Sequence, residues 1–493
     1  MGIPSYFSYI IRNYKGIIAP MVEPHQKQYK HLFMDCNSIV YDCVRSFENP
    51  NPTDEEVIDS VIQKIKYYIN LIRPSHTVYI AFDGVAPFAK MEQQRNRRYK
   101  SHLLSNVLKD PNNPIEKWNT TKITPGTVFM KQLSYKVSMV FQKSNANTFG
   151  VKNLIVSAAN EQGEGEHKIF QYIREHPSVE DDILVYGLDS DLFMLSIFNH
   201  EYYSNCFVFR EAPEFLGSLI DVNFNDMAEF YTIDINLLRT SILSNMGFHE
   251  SQRIYDYVFL CFFLGNDFLP HFPALNIRTH GIQVLLDIYR EIFKNKPNEF
   301  LLSKEKGIIW KNVTLIIKRL AKLETDFLIE ETNMRKKYDK WEWKEPKTLE
   351  EKEKLINNLP IIYRGEETYI NPGATGWEDR YYKILFGYDS KENICKNYFE
   401  GLEWVYKYYI GKGIDYRWKY NYHSGPLFKD LQNYMPRKEL IKKNEIGYTE
   451  EDQLKYIMPP PSITESLTKE NLTKSNTKIE WTYKRYMWES IMV

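Results

Sequence analysis

Ile183-Leu184-Val185-Tyr186-Gly187-Leu188 runs straight into Asp189-Ser190-Asp191, and the reading of that junction decides the fold. A short, β-branched and aromatic run without polar alternation reads as a strand buried on both faces, as in parallel sheets. Two other runs share the design. His31-Leu32-Phe33-Met34 closes on Asp35, and Thr77-Val78-Tyr79-Ile80-Ala81-Phe82 closes on Asp83. Ligands of open α/β sheets bind beyond the carboxyl ends of the strands, so three strand ends each deliver acid to one edge.

Three more acids fall where the same edge would gather them. Glu164-Gly165-Glu166 lies at the mouth of a helix over His167 to Ile173, and Asp267 follows the hydrophobic helix Ile254 to Leu264 through Gly265-Asn266. Taken singly, each acid has a plainer role; Glu164 and Glu166, for instance, suit a helix N-terminus as dipole partners. Taken as a set, Asp35, Asp83, Glu164, Glu166, Asp189, Asp191 and Asp267 cannot all stay ionised without cations between them. Hard oxygen ligands point to Mg²⁺, with Mn²⁺ able to substitute. Two such ions about 4 Å apart would activate a water and stabilise the leaving oxygen of a phosphodiester. No Ser-His-Asp order and no Cys-His pair competes as a nucleophilic centre.

Beyond Asp83-Gly84, Pro87 suits the start of a helix that carries Lys90, Gln94, Arg97 and Arg98 at i, i+4, i+7 and i+8, one stripe of its surface. Arg95 and Glu92 point elsewhere. A solvated basic face is the usual fate of such a run. Here the stripe begins seven residues after a candidate metal ligand, which favours a phosphate pocket beside the metals, with Arg as the planar fork and Lys as the point charge.

The chain has 493 residues, 43% hydrophobic and 26% charged, which suits a large globular core with room for two lobes. Its net charge of −1 supplies no global field for nucleic acid, so phosphate must be held by local clusters. The 36 tyrosines suit stacking, but an AT-rich genome would enrich Tyr, Lys, Asn and Ile alike, and composition explains them better. Cys36, Cys43, Cys206, Cys261 and Cys395 have neither metal-finger nor disulfide spacing. The amino terminus has no signal architecture, Tyr6 stands where a myristoylation site needs Ser or Thr, and the most apolar stretch, Tyr257 to Leu264, is too short for a bilayer. The expectation is a soluble intracellular monomer without membrane contact, in the cytoplasm ahead of the nucleus. The compact form and biased composition would suit a large DNA virus or an AT-rich protist.

Residues 1–290 alternate strand and helix. Tyr6, Phe7, Ile10, Ile11 and Tyr14 make an amphipathic first helix, and Asp54 to Leu71 another, capped by Thr53 or Asp54. Residues 102–125 look irregular, 126–147 look helical, and 152–156 look like a strand. Residues 303–358, dense in Lys and Glu, read as a charged helical linker with a solvated face. An aromatic-rich segment follows to the end, with Pro459-Pro460-Pro461 as a rigid turn. The expected division is a nuclease domain over 1–300, a connection over 301–360, and a second region over 361–493 that completes the pocket.

The motifs resemble the Xrn family of 5′→3′ exoribonucleases, relatives of the flap-endonuclease and PIN-like nucleases. The resemblance rests on Met1-Gly2-Ile3-Pro4, Met34-Asp35-Cys36-Asn37, and Ala81-Phe82-Asp83-Gly84-Val85-Ala86-Pro87 with its basic helix. It extends to Gly163-Glu164-Gly165-Glu166-His167-Lys168, Tyr186 to Asp191, and Leu264 to His271. More loosely, Trp377 to Tyr382, Gly401 to Gly411, Trp418, His423 and Asp452-Gln453-Leu454 resemble the family's second conserved region. The resemblance implies a PIN/FEN-like, mostly parallel sheet flanked by helices, with the aromatic-rich region packed on it, in the form of a minimal catalytic core. It implies two Mg²⁺ ions on the seven acids, and a 5′-terminal phosphate of single-stranded RNA held by Lys90, Gln94, Arg97 and Arg98. It also implies that the first bases stack between Tyr41, where the family has His, and Tyr416 or Trp418, where the family has a Trp-x-Trp pair. Stacking survives those exchanges, but a protonatable group is lost. Gln162 replaces a family Pro, and Glu92 replaces a neutral residue off the stripe, with little effect expected.

The leading expectation is therefore a processive, metal-dependent 5′→3′ exoribonuclease that releases mononucleotides from 5′-monophosphorylated RNA. A structure-specific 5′ nuclease on DNA shares the same acids, and recognition of the 2′-OH leaves no mark in the sequence. A catalytically silent RNA-binding scaffold is the third reading, disfavoured because a scaffold gains nothing from seven mutually repelling acids.

Overall fold

The computed structural model describes residues 3, 5–21, 29–107, 117–213, 216–220, 228–337, 345–362, 365–387 and 389–459. Met1, Gly2 and Pro4 of the first motif, and Pro460 and Pro461, lie outside them.

Seven strands form one sheet: β1 (Ile18–Pro20), β2 (His31–Asp35), β3 (Thr77–Ala81), β4 (Asn153–Ser157), β5 (Ser178–Tyr186), β6 (Tyr203–Glu211) and β7 (Phe230–Asp234). Their spatial order is β1-β7-β6-β5-β2-β3-β4. The pairs from β6 through β4 are parallel, and only β7 runs against the rest, antiparallel to both β6 and the edge strand β1. The sheet is thus mostly parallel and flanked by helices, as expected from three unalternated apolar runs. Every residue of β2 and β3 is buried. Phe33, Tyr79 and Val185 enter the core on one face, while Leu32, Met34, Val78, Ile80, Leu184 and Tyr186 enter a second core on the other. That two-sided burial is the reason these strands carry no polar alternation.

The strand order creates the site. From β2 the chain moves outward through β3 and β4, then returns to place β5 on the opposite side of β2. Crossovers leave β2 and β5 on opposite faces, and a crevice opens beyond their carboxyl ends. Asp35 closes β2 there, and Asp189 lies three residues past β5.

The helices fall largely where periodicity places them. The first spans Tyr6–Asn13 with Tyr6, Phe7, Ile10 and Ile11 buried, and the helix Asp54–Ile72 starts on a capping box between Thr53 and Glu56. Two expectations need correction. The basic helix spans Phe88–Val107, so residues 102–107 are helical rather than irregular. The charged connection carries the helix Trp310–Arg335, whose Val313, Ile316, Ile317, Leu320 and Leu328 are buried in the main core. Only its other face is solvated.

Candidate active site

Each acid is delivered by backbone whose position the sheet fixes. Asp35 and Asp83 stand at the ends of adjacent β2 and β3. Glu164 caps the helix Gly165–Glu175 that follows β4, Glu166 sits in its first turn, and Asp191 opens the helix Asp191–Phe198 after β5. Gly165 lets two of these segments meet. Its N–H donates to Asp83 Oδ1 at 2.7 Å, and a Cβ there would stand 2.5 Å from Asp35 Oδ1. Asn37 locks Asp83 from the other side, giving its Nδ2 to the carboxylate at 2.6 Å and taking the Asp83 N–H at 3.1 Å.

The seven acids form one electrostatic set. Asp35 feels Asp83, Asp189 and Glu164; Glu166 feels Glu164, Asp191 and Asp189; Asp191 feels Asp267 and Asp189. Burial first, then these neighbours, hold the pKa values of Asp35 and Glu166 well above the carboxylate range, and push Asp191 up to about 7. Lys168 acts on Asp83 and Asp35 from one side, Arg97 acts on Asp189 and Asp267 from another, and Lys90 stands in the midst of the set. Lys90, 7% exposed, puts its Nζ 2.5 Å from Glu164 Oε1 and 2.6 Å from Asp267 Oδ2. Burial alone would strip its proton, but Asp267, Glu164, Glu166 and Asp191 hold its pKa well above the usual value. One inner ammonium, with Lys168 and Arg97 at the margin, leaves seven acids short of cations.

That remainder fits hard divalent cations. The donors are oxygens, Asp35 Oδ1 is buried without a hydrogen-bond partner among the described residues, and Glu164, Glu166 and His167 offer ligand atoms within 4.8 Å of one another. His167 was not foreseen as part of the pocket. Tyr408 and Tyr409 were not foreseen either. Tyr408 donates to Glu164 Oε2 at 2.7 Å and stacks on His167 with ring centroids 3.6 Å apart, while the Tyr409 hydroxyl lies 3.4 Å from Asp191 Oδ1. Both tyrosines come from the helix Lys391–Ile410 of the aromatic-rich region, which thereby closes the acidic pocket.

The basic helix divides as its periodicity requires. Lys90 lies inside the acid cluster, Gln94 is half-buried with Oε1 unpartnered among the described residues, and Arg97 is exposed. Arg98 is half-buried against the Tyr41 phenol and donates to Ile123 O at 3.1 Å and to the Thr124 hydroxyl. Glu92 and Arg95 face away. Glu92 accepts from Lys419 and from the Tyr456 hydroxyl, and Arg95 lies over the Tyr456 ring. The substitution expected to matter little therefore joins the basic helix to the second region. Tyr41, on the helix Asn37–Ser46, and Tyr416 are both half-buried. Trp418 differs. It is 9% exposed, and one face stacks on Trp404, which stacks in turn on Tyr408. Trp418 thus anchors an aromatic column of the core, and Tyr416 is the aromatic of that pair with surface left to offer.

Two family models match. "XRN 5'-3' exonuclease N-terminus" covers residues 1–212, and "Xrn1 helical domain" covers residues 248–367 and 362–469. The chain belongs to the Xrn family. Among curated relatives, the 5'-3' exoribonuclease 2 of Arabidopsis thaliana is 25% identical over 100% of this chain and 65% of its own length. The 5'-3' exoribonuclease 2 homolog of Drosophila melanogaster is 26% identical, over 94% of this chain and 64% of its own. The 5'-3' exoribonuclease 2 of Saccharomyces cerevisiae is 31% identical over 59% of this chain and 36% of its own. The chain spans less than two thirds of the length of each of these Xrn relatives. A solved structure, the catalytic core of Rad2 in complex with DNA substrate, aligns over 92% of this chain and 98% of its own at 13% identity, with a TM-score of 0.36. A likeness that low carries no argument.

Proposed function

We propose that this Xrn chain is a divalent-metal-dependent, processive 5′→3′ exoribonuclease that releases mononucleotides from 5′-monophosphorylated single-stranded RNA. The observation that carries the reading is the placement of one helix. Phe88–Val107 buries Lys90 among the acids and continues outward with Gln94, Arg97 and Arg98 on the same stripe. A terminal phosphate gripped by that stripe lies a short step from the acids, so the first phosphodiester is the bond presented to them.

The chain's own groups then have defined tasks. Arg97, Arg98 and Gln94 bind the terminal phosphate by charge-assisted hydrogen bonds. Asn37 and the Gly165 amide hold Asp83, and Tyr408 holds Glu164, so those carboxylates need no rearrangement to bind cations. Mg²⁺ or Mn²⁺ held by Asp35, Asp83, Glu164, Glu166, Asp189, Asp191 and Asp267 would supply an activated water and stabilise the leaving oxygen. Tyr41, beside Arg98, and Tyr416, near Glu164, offer faces for the first bases. Stacking is indifferent to base identity, which suits an enzyme that advances along any sequence.

Degradation of matched RNA and DNA strands bearing 5′-phosphate or 5′-hydroxyl tests the proposal. The expected result is rapid loss of 5′-phosphorylated RNA alone. Equal loss of hydroxyl-ended RNA would remove the phosphate grip from the account, and a preference for DNA flaps would replace the reading with the structure-specific nuclease.

A further inference from the structure

We infer that the groove of about 1080 Å³ between the helix Trp310–Arg335 and the carboxyl end of the helix Lys391–Ile410 is a second binding site for the phosphate backbone of single-stranded RNA, apart from the acidic pocket. Its rim gathers cations from four separate segments. The turn after Leu302–Ser303 gives Lys306, the helix Trp310–Arg335 gives Lys311 and Lys318 one above the other at i and i+7, the turn past Ile410 gives Lys412, and the loop beyond gives Arg437 and Lys438. All six are exposed, and none has a salt bridge to a described residue. Acids were not scarce, since the chain carries 64 against 63 cations. The groove's own acids are largely committed. Glu403 and Glu439 hold the buried Lys407, at 3.1 and 2.5 Å. Glu305 acts on Lys306 alone among the six, so cations outnumber free acids around one concavity and repel one another, and a polyanion relieves that repulsion.

The groove's shape and floor select among polyanions. A bilayer surface does not enter a concavity. Between the cations the floor carries Tyr406, Ile410 and Met435, and apolar contact beneath a cationic rim suits a strand with bases on one side and phosphates on the other. The choice of RNA rests on the reading of the acidic pocket given above. One helix connects the two, because Tyr408 and Tyr409 touch Glu164 and Asp191 while Glu403, Lys407 and Ile410 line the groove. A strand bound in the groove would keep its chain on the enzyme between cleavage events.

The test uses the whole protein in EDTA and a long 3′-fluorescein-labelled oligouridylate, with anisotropy read across a salt series. The variant is Lys311→Ala/Lys318→Ala/Arg437→Ala/Lys438→Ala, all exposed positions outside the acidic pocket, and the corresponding Lys→Arg variant at the three lysines is the control. Binding by the Ala variant should be roughly tenfold weaker, with a log–log salt slope shallower by about 3, while the Arg control and the melting temperature stay as in wild type. Cleavage of a short 5′-phosphorylated RNA should be unchanged. Equal affinity and slope in wild type and Ala variant would overturn the inference and leave the nuclease reading standing. So would an Ala variant that loses only polyglutamate binding, which would assign the groove to an acidic protein. A wild type that neither binds nor cleaves RNA would remove both readings.

Discussion

Under the proposed function Asp191 and Arg97 divide the chemistry between them, because one lies in the buried acid cluster and the other is exposed farther along the basic stripe. Asp191→Asn should abolish cleavage while RNA binding persists, as read by a gel assay beside anisotropy; wild-type turnover that EDTA still inhibits would free Asp191 of its role. Arg97→Ala should cut the preference for 5′-phosphate over 5′-hydroxyl by about 1.5–3 kcal/mol, because a charge-assisted bond is lost while the exposed Arg97 side chain is not packed into the core. An unchanged ratio of rates would move the grip elsewhere. The aromatics separate in the same way. Tyr41→Ala and Tyr416→Ala should shorten processive runs by removing stacking worth about 1–3 kcal/mol, with melting little changed. Trp418→Ala should instead cost about 3–5 kcal/mol of stability, because it empties a site stacked on Trp404. If Tyr41→Ala loses melting temperature in step with activity, Tyr41 is a packing residue. The acids and the basic stripe were legible in the chain because chemistry confines them to strand ends and helical spacing. His167 and Tyr408 were not. Their roles arise from a contact across 241 residues of sequence, which no local spacing announces.

The helix Trp310–Arg335 shows why an element can be misread while its neighbours are not. Its buried stripe carries charged residues as well as leucines, so its hydrophobic period is diluted. Glu324 is buried and accepts the backbone N–H groups of Phe428 and Lys429 at 2.7 and 3.0 Å. Arg335, also buried, meets Glu367 at 3.1 Å. Glu and Arg at such positions look solvated in sequence, yet here each is partnered by a segment more than thirty residues away. The buried stretches Leu32–Met34, Val78–Ala81 and Ile183–Tyr186 had no such disguise, because burial on both faces selects apolar residues and leaves the polar ones to the strand ends. Leu320→Ala should therefore destabilise the protein by about 2–5 kcal/mol in chemical denaturation, whereas Lys322→Ala, exposed on the same helix, should stay within about 0.5 kcal/mol of wild type. Equal small losses at both positions would restore the solvated connection.

For the molecule as a whole, the crowding of acids at one edge of the sheet links folding, pH and metal. Asp191 has its pKa raised by burial and by Asp267 to about 7, above the about 3.9 of an unfolded chain. Between those values the folded state holds the extra proton, so the stability of metal-free protein falls as pH rises from about 4 through about 7. The melting temperature of EDTA-treated protein should fall from about pH 5 to about pH 8, and added Mg²⁺ should restore more at the upper end, where the ligands are already deprotonated. A Mg²⁺ effect independent of pH would argue against a metal on this cluster. The central claim, that these acids direct hydrolysis from the 5′ end, meets its most direct test in a time course on RNA carrying a radioactive 5′-phosphate. The account predicts labelled mononucleotide as the first product with Mg²⁺, and none with EDTA or with Asp191→Asn. Label appearing first in longer fragments, or as mononucleotide in the presence of EDTA, would contradict it.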